Sequence, residues 1–283
     1  MSRLVALVAL TMVAFAANSV LNRMALAGTA TGPAAFAAIR LAAGAAVLGV
    51  LTLHRGGMAR LRAGLAPRNA LALGVYMLGF SFAYVTLDAG IGALLLFGGV
   101  QITMFAGSVL AGDRIPPARG LGAGIAFLGL LTLLWPAGAA APPLSGAVLM
   151  LAAAVGWGCY SLLGRGSRDP LGVTAGAFLL ALAPAAVVLA VAPGRVDGPG
   201  VALALVSGAV TSGLGYALWY SLLPRLASSV AAVVQLTVPV IAALAGALLL
   251  GEAPGLRFAV AAALVLGGVA VAIRAPSVPA RRG

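Results

Sequence analysis

Apolar runs long enough to cross a bilayer follow one another along almost the whole chain, separated only by short Gly, Pro and Arg punctuation. A hydrocarbon core about 30 Å thick takes about 20 apolar residues per helix, and backbone inside it must satisfy its own hydrogen bonds. Each run therefore predicts a membrane-spanning helix. There are ten: Leu4–Val20, Pro33–Leu53, Asn69–Leu87, Gly90–Ala111, Arg119–Leu134, Leu144–Gly164, Leu171–Ala192, Pro199–Leu222, Ala227–Leu250 and Leu256–Ile273. Ten helices of that length consume roughly 200 residues, which leaves no room for a soluble domain. With 8% of its 283 residues charged, the chain also lacks the ionisable side chains to cover a water-soluble globule. The expectation is an all-α polytopic membrane protein with ten transmembrane helices.

The punctuation refines this. Asp88-Ala89-Gly90 and Glu252-Ala253-Pro254-Gly255 are too short for anything but antiparallel hairpins. Pro33 and Pro199 stand at helix starts, where a missing N–H costs nothing. Arg3 before an apolar run, with Ala25-Leu26-Ala27 after it, resembles a cleaved leader; Asn18, Asn22 and Arg23 interrupt that pattern, so the segment reads as a span. The lone Cys159 allows no intrachain disulfide and no Cys-rich metal site.

All 17 basic residues are Arg, and the net charge is +12. The densest stretch, Arg55, Arg60, Arg62 and Arg68, lies between two spans and is no polybasic arm, so a nucleic-acid partner is not expected. If the N-terminus is cytoplasmic, 13 Arg fall on that side, Arg23, Arg195 and Arg257 fall opposite, and Arg40 lies within a span. The positive-inside rule then places both termini in the cytoplasm.

An internal repeat is also visible. Val13, Ser19, Leu21 and Arg23 recur as Val155, Ser161, Leu163 and Arg165, with Phe15 matched by Trp157. Gly107, Leu110, Gly112 and Asp113 recur as Gly246, Leu249, Gly251 and Glu252, and Pro116 and Arg119 as Pro254 and Arg257. Two units follow, 1–138 and 139–283, each of five spans. An odd number of spans inverts the second unit relative to the first, an architecture that encloses a central cavity and works by alternating access.

The punctuation "GSVLAGDRIPPARG" and "GALLLGEAPGLRF", the Arg in "AAIRLAAG" and the Pro in "QLTVPVIAAL" resemble the drug/metabolite transporter superfamily, EamA type, over nearly the whole chain. Its best-known similar branch is the YddG-like amino-acid and metabolite exporters. The resemblance implies ten helices around a cavity, one EamA repeat per half, in the bacterial inner membrane. Asp113 stands where Glu is usual, and Val100 occupies the position corresponding to Pro239.

Candidate site residues follow from polarity at depth. Carboxylates inside a membrane stand out as ion or proton carriers, yet Asp88, Asp113, Asp169, Asp197 and Glu252 all fall at span ends or loops, where Asp113 and Glu252 read as hairpin caps. Arg40 either snorkels, pairs with a helix C-terminus or binds a substrate carboxylate. Pro239 deprives the Gln235 carbonyl of its helical partner, which turns that part of the ninth span toward protein or cavity. Gln235 and Gln101 are cavity candidates.

Tyr76, Phe80 and Tyr84 share one helix face, and Trp157 and Tyr216 stand at similar depth; such a face suits the apolar part of an amphipathic metabolite, with Ser161, Thr211 and Ser212 near its polar end. Trp135, Trp219 and Tyr220 read as an interfacial belt. Gly98, Gly99, Pro239 and Asn18 are gating candidates, and Gly120 with Gly124 forms a Gly-x-x-x-Gly packing motif. No metal cluster, phosphate loop or catalytic triad can be assembled, so no cofactor and no enzymatic activity are expected. The expected partners are a small-molecule substrate and the lipid bilayer, with the chain a monomer. The expected activity is export of small neutral or zwitterionic metabolites, amino acids including aromatic ones. Another solute is the alternative: a drug, a nucleoside or a sugar phosphate. A non-transport membrane scaffold is the remaining contrast.

Overall fold

The computed structural model describes residues 2–112, 116–136, 141–164, 167–226 and 228–274. Asp113, Arg114 and Arg165 lie outside them, as do Arg281 and Arg282. Among the described residues the chain forms ten helices: α1 (Ser2–Gly28), α2 (Pro33–Ala63), α3 (Pro67–Ala83), α4 (Ala89–Leu110), α5 (Pro117–Leu134), α6 (Leu144–Leu163), α7 (Pro170–Val191), α8 (Gly198–Arg225), α9 (Ser228–Gln235 continuing as Thr237–Leu250) and α10 (Leu256–Arg274). Seven are long and apolar enough to cross a membrane, and the later part of α9 and α10 are shorter apolar helices. Leu110, Val191, Leu248 and Leu256 are each more than four-fifths exposed, which suits an outer surface solvated by lipid. The chain is an all-α polytopic membrane protein.

Two helices outrun the apolar patterns that announce them. α1 continues past Asn22 and Arg23 to Gly28 because those polar groups are met by protein rather than lipid. α2 continues past Leu53 and turns at Gly57, whose φ of 66° only glycine adopts without strain.

The most extensive helix pairings join α5 to α10, α2 to α7, and α3 to α6, and α1 packs along the length of α8. Small residues allow these approaches. A Cβ on Gly122 would strike the backbone of Gly268 and Ala272, and one on Gly64 would strike Gly172. A Cβ on Gly120 or Gly124 would meet nothing within 4 Å among the described residues, so the Gly-x-x-x-Gly spacing is not the packing face; Gly122 and Gly129, meeting α10, are. α4 runs unbroken through Gly98 and Gly99, which pack against Leu130 and Val265 and against Ala154.

Proline and polar residues set the irregularities. α9 is interrupted at Leu236, beside the Gln235 carbonyl to which Pro239 offers no amide. α7 absorbs Pro184 without a break. Within α8, Ser207–Leu214 winds as a π-helix, and such segments recur at functional sites.

Loops gather at two ends. At one, the Gly32 N–H bonds the Arg195 carbonyl, Thr31 bonds Asp197 at 2.6 Å, and Arg257 bonds the Trp135 carbonyl at 2.9 Å. At the other, Arg60 grips Asp169 with two hydrogen bonds, 2.7 Å from Nε and 2.6 Å from Nη2, tying α2 to the start of α7. Asp169 and Asp197 also accept the N–H of Gly172 and of Gly200 as N-caps.

Candidate functional site

A cavity lies among α1, α3, α4, α6, α8 and α9. Its walls are Phe15, Asn18 and Ser19 of α1, Tyr76 and Phe80 of α3, Leu96 and Phe97 of α4, Trp157 of α6, Tyr216 of α8 and Gln235 of α9. Its free volume is about 20 Å3, room for about one water. Aromatic rings close it: Trp157 lies 4.9 Å from Tyr76 and 5.2 Å from Tyr216, and Phe15 meets Tyr216 edge-on at 5.6 Å. The rings leave this centre little free space in this conformation.

Polar groups continue behind this wall. Asn18 Oδ1 accepts from three hydroxyls of α8, Ser207 at 2.9 Å, Thr211 at 2.6 Å and Ser212 at 3.2 Å. Positions five apart lie about 140° around an α-helix, so Ser207 and Ser212 would diverge. The wider π-turn brings both to one acceptor. Asn22 extends the network to Ser207 and receives Ser81 of α3.

Arg40 occupies the heart of the network. It is fully buried, and its Nε and Nη2 both donate to Ser212 Oγ at 3.2 Å. Nη2 also reaches Tyr76 Oη at 3.4 Å, the guanidinium lies 4.9 Å over the Phe80 ring, and Nη1 has no hydrogen-bond partner among the described residues. Arg40 neither snorkels nor caps a helix. It is sheltered by Gly208, where α8 comes so close that a Cβ would collide with the Arg40 carbonyl. A mid-membrane Arg costs about 2.5 to 3.5 kcal/mol on insertion scales, and cation–π contact returns about 0.5 to 2 kcal/mol.

Of the residues expected at the site, Gln235, Trp157, Phe80, Tyr216 and Asn18 line the cavity, and Arg40, Thr211 and Ser212 stand directly behind it. Three stand apart. Tyr84 is fully buried but bonds the Ala89 carbonyl at the α3–α4 hairpin, Ser161 bonds the Trp157 carbonyl of its own helix, and Gln101 is half-buried on α4 outside the lining. Trp219 is not in an interfacial belt. It is buried against Phe15 at 5.9 Å, because α8 turns it toward α1. Trp135 is well exposed. Phe15, Ser19, Leu96 and Phe97 belong to the lining without having been expected; Phe15 and Ser19 stood out in the sequence only as repeat positions.

A charged cluster sits at the end of α1. Arg23 donates to Glu252 Oε1 at 3.2 Å, Asp88 Oδ1 at 3.3 Å and the carbonyls of Tyr84 and Val85, while Glu252 Oε2 accepts the Ala89 N–H at 2.8 Å. Burial lifts the Glu252 carboxyl above its ordinary value despite the Arg23 charge. Asp169, held chiefly by the Arg60 hydrogen bond, is shifted down. A recess of about 600 Å3 opens at this end between the α3–α4 and α9–α10 hairpins, bounded by Asp88, Glu252 and Arg257.

Ten helices around a small aromatic and polar centre are the frame of a polytopic membrane protein. The family model of the EamA-like transporter family matches residues 144–274. The chain is 53% identical over 272 residues to the uncharacterized protein PA1977 of Pseudomonas aeruginosa, covering 95% of this chain and 94% of that one. It is 26% identical over 208 residues to an uncharacterized transporter of Archaeoglobus fulgidus, covering 71% and 73% of the two chains. A protein of known crystal structure shares the fold with a TM-score of 0.67 at 23% identity, over 94% of this chain and 95% of the other. The chain belongs to the EamA-like transporter family of the drug/metabolite transporter superfamily, a family of transporters and not of enzymes.

Proposed function

We propose that the protein exports small neutral or zwitterionic metabolites, amino acids including aromatic ones, across the bacterial inner membrane by alternating access. The observation that carries this reading is the central cavity, whose amide and hydroxyl groups alternate with aromatic rings and whose lining holds no carboxylate among the described residues. Polar groups fix orientation and rings hold the apolar part. A cationic drug would require a carboxylate there.

The helix pairings support an inverted pair of five-helix units, 1–138 and 139–283. Exchanging each helix for the one five places away leaves α2–α7, α4–α9 and α5–α10 unchanged and swaps α3–α6 with α1–α8, and all of these pairs pack together. Movement of one unit against the other would open the cavity to either side, with Asn18 at the joint, α9 bending at Pro239 and α4 flexing at Gly98 and Gly99. Charge supports cytoplasmic termini: Arg23, Arg195 and Arg257 at one end are matched by Asp88, Asp197 and Glu252, while the other end keeps a large Arg excess.

Counterflow of radiolabelled amino acids in proteoliposomes tests the function. Exchange is expected in the wild type and is expected to fall at least about tenfold in Trp157→Ala and Gln235→Ala, both normally inserted. Absence of counterflow across a broad amino-acid panel would reject it.

A further inference from the structure

The buried guanidinium of Arg40 has no acid partner among the described residues, since Asp88, Asp197 and Glu252 cluster at one loop end and Asp169 at the other. A guanidinium keeps its charge inside proteins, so this cation stands in the membrane with two hydroxyls and two ring faces around it among the described residues. Its neighbours Tyr76 and Phe80 are themselves cavity walls, so Arg40 lies against the rings that line the cavity.

The hydrogen-bond inventory around it is lopsided. Tyr76 Oη accepts from Arg40 and from Tyr216 at 3.3 Å, and its own proton has no acceptor among the described residues. Asn18 spends its oxygen on three hydroxyls, and among the described residues none of its hydrogen bonds uses Nδ2. Arg40 Nη1 is unpartnered among the described residues. Three donors are therefore unspent, and the strongest acceptor nearby is saturated. Only an acceptor can use such an end, and a carboxylate is acceptor-only. Gln235 stands differently: Nε2 donates to the Ala231 carbonyl at 3.2 Å, which leaves its Oε1 to accept.

We propose that Arg40 and Tyr76 form the carboxylate-recognising end of the central site, so that the transported metabolite carries a carboxylate, with any ammonium group at the Gln235 end. The proposal rests on the transport reading above. The carboxylate enters when the aromatic walls part and the Phe80 ring leaves the face of the guanidinium; its charge then neutralises that of Arg40.

The test is counterflow by the full-length protein in proteoliposomes, comparing L-phenylalanine, L-leucine and L-glutamine with their α-carboxamides. The wild type is expected to exchange each acid at least about tenfold faster than its amide. In Arg40→Gln that ratio is expected to fall to near one, and in Tyr76→Phe, which keeps the ring if the Arg40 variant does not fold, to drop severalfold. Equal rates for acids and amides in the wild type, or an unchanged ratio in folded Arg40→Gln or in Tyr76→Phe, would overturn the carboxylate assignment alone. No exchange of any acid or amide would overturn the amino-acid transport reading, and this proposal with it.

Discussion

Glu252 accepts the main-chain N–H of Ala89 at 2.8 Å, so the α9–α10 hairpin supplies the N-terminal cap of α4. Asp88, the residue actually at that N-cap position, makes no side-chain cap and turns to Arg23 instead. One carboxylate thereby joins α1, the α3–α4 hairpin and the α9–α10 hairpin.

Loss of this cap has a predictable cost. Glu252→Ala is expected to lower stability by about 0.5 to 2 kcal/mol, the usual range for a removed N-cap. Glu252→Gln, whose amide oxygen still accepts the Ala89 N–H, is expected to recover part of that. Thermal unfolding in detergent measures both.

The two ion-pair sites differ in their response to acid. Burial raises Glu252 above 4.5, so the folded chain holds this proton more tightly than the unfolded chain does. Acid therefore removes one of the two carboxylate charges that Arg23 grips, and this protonation does not itself unfold the protein. Asp169 is lowered below 3.8, and its stabilising effect is complete above that value and lost as pH falls through the shifted one. A cysteine replacing Asn18 in a Cys159→Ala background is expected to react faster with an impermeant thiol reagent applied at the Arg23 end as pH falls from neutral toward 4.5. Arg23→Ala is expected to give the fast rate already at neutral pH, with the pH response gone.

Close packing at Gly208 gives a third test. A methyl group there would strike the Arg40 carbonyl and displace α8 with Ser212, and Gly208→Ala is expected to cost about 1 to 3 kcal/mol, as overpacking does. Gly120→Ala, in open space, is expected to change stability by less than about 0.5 kcal/mol. The melting temperatures of the two variants measure the contrast.

The helices were legible because runs of Leu, Ala and Val between prolines and glycines leave a bilayer-spanning chain few alternatives; most boundaries agree within a few residues. The cavity was legible where one residue announced its own need, as Pro239 did for the Gln235 carbonyl. Contacts between distant helices were not. Nothing around Arg40 in sequence indicates Ser212 as its partner, and an α-helical periodicity assigns Ser207 and Ser212 to different faces, whereas the π-turn unites them. Which glycines pack was equally hidden: Gly120 and Gly122 differ only in helix rotation, and the neighbouring helix decides between them.

A centre with space for about one water cannot hold a continuous file of solvent. Protons hop along such files, so with the aromatic walls in these positions the cavity offers them no file to follow.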